Sequence, residues 1–379
     1  MDSSHRIHFL DYLRGFAVVV MVVGHSIDSV LSMDARATEI FRLYDAVRGF
    51  TAPIFLFVAG YAFIVATRKR WNEFVVLGRP VLRRVTKMFL LLLLGYVLHF
   101  PFFSFAKLVH DTGPGEYAQF FQVDVLHCLA VSILLLQVVI LLARTPGRFV
   151  VTTLIMTIVL MMASPLVWSV DLASVVSPFL SPYFNQQQVS IFPLFPYAGF
   201  LFSGVVVGHL FLAARREGRE RVMILRMVIA GVAAIVCGIV FDVLPVTFYP
   251  PHDYWKTSPN FFLIRIGAVL LVTGGFALLR SLPDVVERHL VTLGQASLMV
   301  YAVHLILVYG SSANDGLAQI VGQTLAYHQA FVVGALVLFL MIALVHGWNY
   351  LRTHHYVPSR VVQAGFASSL LYLFFTKPW

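Results

Sequence analysis

About ten stretches of roughly 17 to 25 apolar residues recur along the chain, and no other feature constrains its fold as tightly. About 20 residues of helix cross the hydrocarbon core of a bilayer. A segment in lipid has no water to satisfy its peptide groups, so it must satisfy them as a helix or within a closed barrel. Continuous apolar runs of this length, without alternation, predict helices. The expected fold is therefore all-α and polytopic, with spans near residues 9–31, 50–67, 87–104, 124–143, 148–167, 191–213, 222–242, 260–280, 290–310 and 328–350. A short eleventh stretch, 361–375, is expected to span or to lie at the interface, within a C-terminal tail of residues 351–379. Charge agrees with this reading, because only 12% of residues are Asp, Glu, Lys or Arg, against about 25% in soluble domains. The whole chain, 1–379, reads as a single membrane domain.

Lys and Arg fix the orientation. With the N-terminus in the cytoplasm, 21 of the 27 basic residues fall on the inner side and 6 on the outer side. The densest inner loop holds Arg68, Lys69, Arg70, Arg79, Arg83, Arg84 and Lys87. The net charge of +9 is spread over such loops, which argues against a nucleic-acid-binding face. The first apolar stretch ends without a small-residue cleavage site and reads as a retained helix.

Ionisable residues inside apolar spans mark candidate functional positions, because the membrane penalises them. The first span carries Asp11, Arg14 and His25. Eleven residues separate Arg14 from His25, about three turns, so both side chains share one face about 16 Å apart along the axis. Asp11 precedes Arg14 by one turn and can pair with it. His304, in the ninth span, falls at a depth similar to that of His25. Two histidines at one depth suit general acid–base work near neutral pH. Asp124 and His127 open the fourth span one turn apart, and Asp45 and Arg48 precede the second; all four are candidates for an outer mouth. Arg265 in the eighth span needs a buried partner that the sequence does not name.

Each residue also has a structural reading. Arg14 can be a snorkelling anchor, His25 a packing histidine, Asp124 a helix cap, and the basic loop an orientation signal that attracts anionic lipid. Cys128 and Cys237 both lie in apolar stretches and form no disulfide or metal pattern. No phosphate-binding glycine loop and no zinc motif is present, and no metal is expected.

Four segments carry a resemblance. They are Arg6-Ile-His-Phe-Leu-Asp-Tyr-Leu-Arg-Gly-Phe-Ala17, Thr51-Ala-Pro-Ile-Phe-Leu-Phe-Val-Ala-Gly60, Asp124-Val-Leu-His-Cys-Leu-Ala130 and Phe192-Pro-Leu-Phe-Pro-Tyr-Ala-Gly-Phe-Leu-Phe-Ser-Gly204. In this order, over residues 5–215, they resemble the heparan-alpha-glucosaminide N-acetyltransferase catalytic-domain family, including its small bacterial members. The Arg14-to-His25 spacing and the segment Leu293–His304 are similar to motifs of the broader acyltransferase 3 proteins.

The resemblance implies a transmembrane acyltransferase of a bacterial cytoplasmic membrane. It implies acyl-CoA, usually acetyl-CoA, as donor from the cytoplasm and a sugar or glycan as acceptor on the outer face. On this reading Arg14, with Arg84 or Lys87, holds the phosphates of CoA. His25 is the general base, with a transient acyl-histidine as a variant. His304 orients the acceptor or stabilises the oxyanion. Asp45, Arg48, Asp124 and His127 line the acceptor mouth, and Asp11 supports Arg14. The heparan-type enzymes carry a working histidine in the loop after the first helix. This chain has no histidine between His25 and His99, so either His25 takes that role in the manner of the acyltransferase 3 proteins or the mechanism differs. Two other functions fit the same polar line: a transporter or permease using it as a proton or anion path, and a non-catalytic relative that keeps the fold.

Overall fold

A computed structural model of the chain describes residues 7–376 apart from 178, 187–189, 245–248, 280–281 and 355. Arg6, Arg280 and Lys377 of the charge count lie outside the described residues. The long helices are α1 (His8–Val30), α2 (Glu39–Arg48), α3 (Thr51–Arg68), α4 (Arg79–Leu98), α5 (Val125–Ala143), α6 (Pro146–Ser169), α7 (Leu194–Arg216), α8 (Glu220–Val243), α9 (Pro259–Leu278), α10 (Asp284–Gln295), α11 (Ser297–Tyr309), α12 (Tyr327–His354) and α13 (Tyr356–Thr376). Among the described residues, extended pairing is limited to two isolated bridges, Leu31 with Leu325 and Ser311 with Asn314. The protein is an all-α polytopic membrane protein.

Eight helical segments among the described residues are long and apolar enough to cross a bilayer, with α2 and α3 counted as one, and a bent pair makes nine. That pair is α10 and α11, which meet at 82°. The sequence predicts one continuous span over 290–310; the chain instead turns at Ala296. α10 carries Asp284, Glu287 and Arg288, so its composition suits an interface. α11 keeps only 13 residues. α4 begins at Arg79 rather than near residue 87, because Arg83, Arg84 and Lys87 are helical residues and not a loop. α13 has 21 residues, about 30 Å of helix, which is long enough to span.

Apolar residues face outward along much of the bundle. Phe89, Leu90, Leu93, Ile155, Ile229, Leu336 and Phe339 are all exposed, which is the surface that lipid accepts and water does not.

The chain divides into two units. The first comprises Met1–Leu13, Ala52–Tyr96 and Phe121–Ser281. Its centre holds Leu56, Phe57, Tyr61, Ile64, Leu136, Phe149, Phe200 and Phe202, each under 2% exposed. Small residues let its helices touch. A Cβ at Gly60 of α3 would overlap the Leu201 carbonyl of α7, and one at Gly204 would overlap the Phe57 carbonyl. Gly231 of α8 and Gly267 of α9 face each other in the same way, each with its Cβ position within 2.8 Å of the other's carbonyl oxygen. In lipid, where apolar transfer drives no association, such close packing is what joins helices.

Two charged side chains in this unit find neutral partners. Arg84 donates to Gln137 Oε1 at 2.7 Å and to Thr67 Oγ1 at 2.8 Å. Its guanidinium also lies 3.7 Å from the Phe74 ring centroid and 4.5 Å from that of Phe63. Gln137 in turn donates to the Phe74 carbonyl at 3.0 Å. Arg84 thus ties α3, α4 and α5 together. Arg84→Gln removes two charge-assisted bonds, each worth about 1.5–3 kcal/mol, and we expect a clear fall in the thermal midpoint of the purified protein. An unchanged midpoint would show that the brace carries no stability. Arg265 acts electrostatically on the Tyr197 hydroxyl and lies 4.3 Å from the Phe261 ring centroid, which answers the question its position in the sequence raised.

The second unit comprises Arg14–Thr51, Val97–Phe120 and Leu282–Trp379. Val18 and Val22 of α1 pack with Leu293, Val300 and Val308, and with Val337, Met341 and Val345 of α12. Ile27, Val30 and Leu31 continue this core against Ala330. Gly15 lets α1 meet α10 directly, because a Cβ there would overlap the Leu290 backbone. Phe374 near the end of α13 packs against Phe100 and Phe103 at 5.8 and 5.9 Å between ring centroids.

Candidate active site

The bend at Ala296 decides what faces α1. It leaves His304 seven residues into α11, fully buried. His304 Nδ1 lies 2.8 Å from the Val300 carbonyl. A carbonyl only accepts, so Nδ1 carries the proton and the neutral ring has a bare Nε2. His25 Nδ1 stands 3.0 Å from that Nε2 and must therefore be the donor. This leaves His25 Nε2 with a free lone pair, on a ring that is only half-buried. The Val300 carbonyl thus selects the tautomer of both histidines through two hydrogen bonds.

α1 adds a carboxylate one turn beyond His25. Asp28 is 17% exposed and accepts from two arginines. Arg36 Nη1 lies 3.3 Å from Asp28 Oδ1, and Arg36 Nη2 also donates to the Asp28 carbonyl. Arg48 Nη1 donates to Asp28 Oδ2, and Arg48 Nε donates to Asp45 Oδ1 at 3.1 Å. Two carboxylates and two guanidinium groups close the charge of the cluster. Gly24 makes room for it: a Cβ there would stand 3.3 Å from Arg48 Cγ and 3.7 Å from the Tyr44 hydroxyl. Tyr44 donates to the Gly24 carbonyl at 3.0 Å. The Tyr309 ring lies 5.7 Å from that of His25, edge to face. α2, an exposed polar helix capped by Thr38, brings Tyr44, Asp45 and Arg48 to the end of α1.

Four of the residues singled out from sequence therefore meet in one unit: His25, His304, Asp45 and Arg48. Asp28, Arg36, Tyr44 and Tyr309 join them and were missed. Asp28 had a legible signal, since it is an acid in the same apolar stretch and on the same face as His25. Arg14 and Asp11 are half-buried on the first half of α1.

Asp124 and His127 belong to the other unit. Asp124 caps α5, accepting from the backbone of Leu126 at 2.8 Å and of His127 at 3.1 Å. His127 reaches back in a reciprocal box, its Nδ1 accepting from the Asp124 backbone N–H at 3.3 Å. Its ring packs against Tyr96 at 4.3 Å. Both residues do cap work that the sequence reading had left open. Nearby, burial raises the Tyr183 hydroxyl above its ordinary range, so it stays a hydrogen-bonding alcohol, 2.7 Å from Tyr96 Oη. Arg84 is spent on the brace described above, and Lys87 is exposed. Among the described residues no group of three or more His, Cys, Asp or Glu side chains is placed to hold a metal.

A hydrogen-bonded histidine pair beside a paired carboxylate, inside a helical membrane protein, is an arrangement that can hold and move a proton. Residues 6–237 match the family described as heparan-alpha-glucosaminide N-acetyltransferase, catalytic. The match covers more than half of the chain, and the chain belongs to this family of membrane N-acetyltransferases. No curated protein matches it. The matched range includes His25 and Asp28; His304 and Tyr309 lie beyond it.

Proposed function

We propose that the protein transfers an acetyl group from cytoplasmic acetyl-CoA to an amine or hydroxyl of a sugar acceptor at the outer face. The observation that carries this reading is the bare Nε2 of His25, set by the bond from His25 Nδ1 to His304 Nε2 and anchored by the Val300 carbonyl.

The chemistry follows from that nitrogen. As the acceptor nitrogen or oxygen bonds the thioester carbon, His25 Nε2 takes its proton. The carbon–sulfur bond then breaks, and the departing CoA thiolate takes the proton from His25. The products are the acetylated sugar and free CoA thiol. His304 accepts a hydrogen bond from His25 Nδ1 throughout, so it favours the imidazolium while the proton is held. Arg14, eleven residues earlier on α1, is the proposed contact for a phosphate at the inner end. Asp28, Arg36, Arg48 and Asp45 form the polar mouth that orients the acceptor.

The test is the purified protein in lipid nanodiscs with acetyl-CoA and a panel of amino sugars and neutral glycans. Acceptor-dependent release of free thiol, with acetyl found on the sugar by mass spectrometry, is the expected result. Accumulation of unmodified sugar in proteoliposomes, without any thiol release, would overturn the proposal. In the same assay Asp28→Asn removes the carboxylate that Arg36 and Arg48 share, and we expect the acceptor KM to rise about tenfold or more, as loss of a charged hydrogen-bond partner does. An unchanged KM would remove Asp28 from the mouth.

A further inference from the structure

A second polar cluster lies in the first unit, at the end of α3 and α7 that carries the basic residues. The two helices run together there because Gly208 packs on α3: a Cβ at Gly208 would stand 2.6 Å from Ile64 Cγ2 and 3.1 Å from the Tyr61 ring. One turn beyond Ile64 comes Arg68. Beside Gly208 comes His209, and two turns further come Arg215 and Arg216. Tyr61 itself is fully buried, between the rings of Phe9 and Phe211 at 6.0 Å each.

Three buried polar atoms in this cluster have no hydrogen-bond partner among the described residues: Tyr61 Oη, Arg68 Nε and His209 Nδ1. Tyrosine and arginine present donors here, and histidine can. They lie together: Arg68 and Arg216 both act on His209, and Tyr61, on which Arg215 and Glu220 act, packs against Gly208 beside His209. The nearby acids are committed elsewhere: Glu220 pairs with Arg215 at 2.8 Å, and Glu217 pairs with Arg219. Arg68 and Arg216 form no ion pair among the described residues. Orientation of the protein in the membrane asks only for cations in the loops; it does not explain donors buried between helices without acceptors. An excess of positive charge with spare donors is the complement of a group that is anionic and only accepts.

We propose that Tyr61, Arg68, His209 and Arg216 form a binding site for a phosphate group, carried by a soluble phosphate ester or by an anionic lipid headgroup. The site is separate from the histidine pair and does not rest on the acetyl-transfer reading. Arg68 supplies the planar fork that suits phosphate oxygens. His209 and Tyr61 add neutral donors, and Arg216 adds charge from the open side.

The experiment uses the whole protein in phosphatidylcholine nanodiscs titrated with inorganic pyrophosphate by calorimetry. A parallel arm uses nanodiscs containing phosphatidylglycerol, with the immobilised lipid followed by phosphorus NMR. We expect saturable binding in at least one arm, weakened tenfold or more by Arg68→Gln and by His209→Asn. The near-isosteric Tyr61→Phe should weaken it by a smaller factor, while Lys69→Gln leaves it unchanged. Pyrophosphate binding identifies a soluble phosphate ligand. Lipid immobilisation without pyrophosphate binding identifies the headgroup. Monodisperse elution of each variant separates lost binding from lost fold, and Tyr61→Phe keeps the test open if an arginine variant fails to fold. Absence of binding in both arms, or binding that Arg68→Gln and His209→Asn leave at full strength, overturns the proposal.

Discussion

On the proposed mechanism we expect His25→Ala to lower acetyl transfer by roughly a hundred- to ten-thousand-fold, the contribution of a placed general base, and to leave the protein folded. The fold should survive because the His25 ring is only half-buried and its one side-chain hydrogen bond among the described residues is to His304. On the proposed mechanism His304 is a positioning residue. Its ring is buried, and its bond to the Val300 carbonyl points it at His25. His304→Ala should therefore lower kcat and leave the acceptor KM near its original value, because tautomer and orientation are lost while the acceptor mouth is intact. Addition of free imidazole to His25→Ala should restore part of the rate; it should do nothing for a variant that fails to fold. Thiol release from acetyl-CoA in the presence of the best sugar acceptor measures all three. Full activity in His25→Ala would remove the mechanism and leave the family assignment standing.

Gly204→Leu prevents the first unit from assembling. The Cβ position at Gly204 overlaps the Phe57 carbonyl, and that at Gly60 overlaps the Leu201 carbonyl. Both obstacles are helix backbone, so no rotamer change relieves them. Ordinary overpacking costs about 1–3 kcal/mol, and an overlap with main chain on a close helix contact should exceed that. The helices α3 and α7 must move apart, which exposes Phe57, Tyr61, Phe200 and Phe202 from their buried positions. The expected result is loss of the monodisperse peak on size exclusion in mild detergent. Gly275→Leu is the control, because a Cβ at Gly275 meets nothing within 4 Å. Equal behaviour of the two variants would show that the α3–α7 approach is not what holds the unit together.

The helical, polytopic character was legible because apolar length is a property of a chain read in one dimension. The spans over α1, α3, α5 to α9 and α12 follow from it within a few residues. The start of α4 was not legible, because Arg83, Arg84 and Lys87 look like a loop until Gln137, Thr67 and Phe74 are seen to receive Arg84. The break between α10 and α11 had no proline to announce it.

The candidate site divides in the same way. An ionisable residue in an apolar span is costly wherever it faces, so His25 and His304 stood out from sequence alone, and Asp28 stood out equally to the same criterion applied one turn further. Their pairing with one another did not. Which residue meets which is set by where glycines let helices close, at Gly15 of α1 against α10 and at Gly24 under Arg48, and by an 82° bend between α10 and α11, the helix that carries His304. Sequence alone thus determined that these side chains had to be buried in a membrane and compensated there. The tertiary structure decided by whom, because compensation is a matter of distances between helices that lie hundreds of residues apart in the chain.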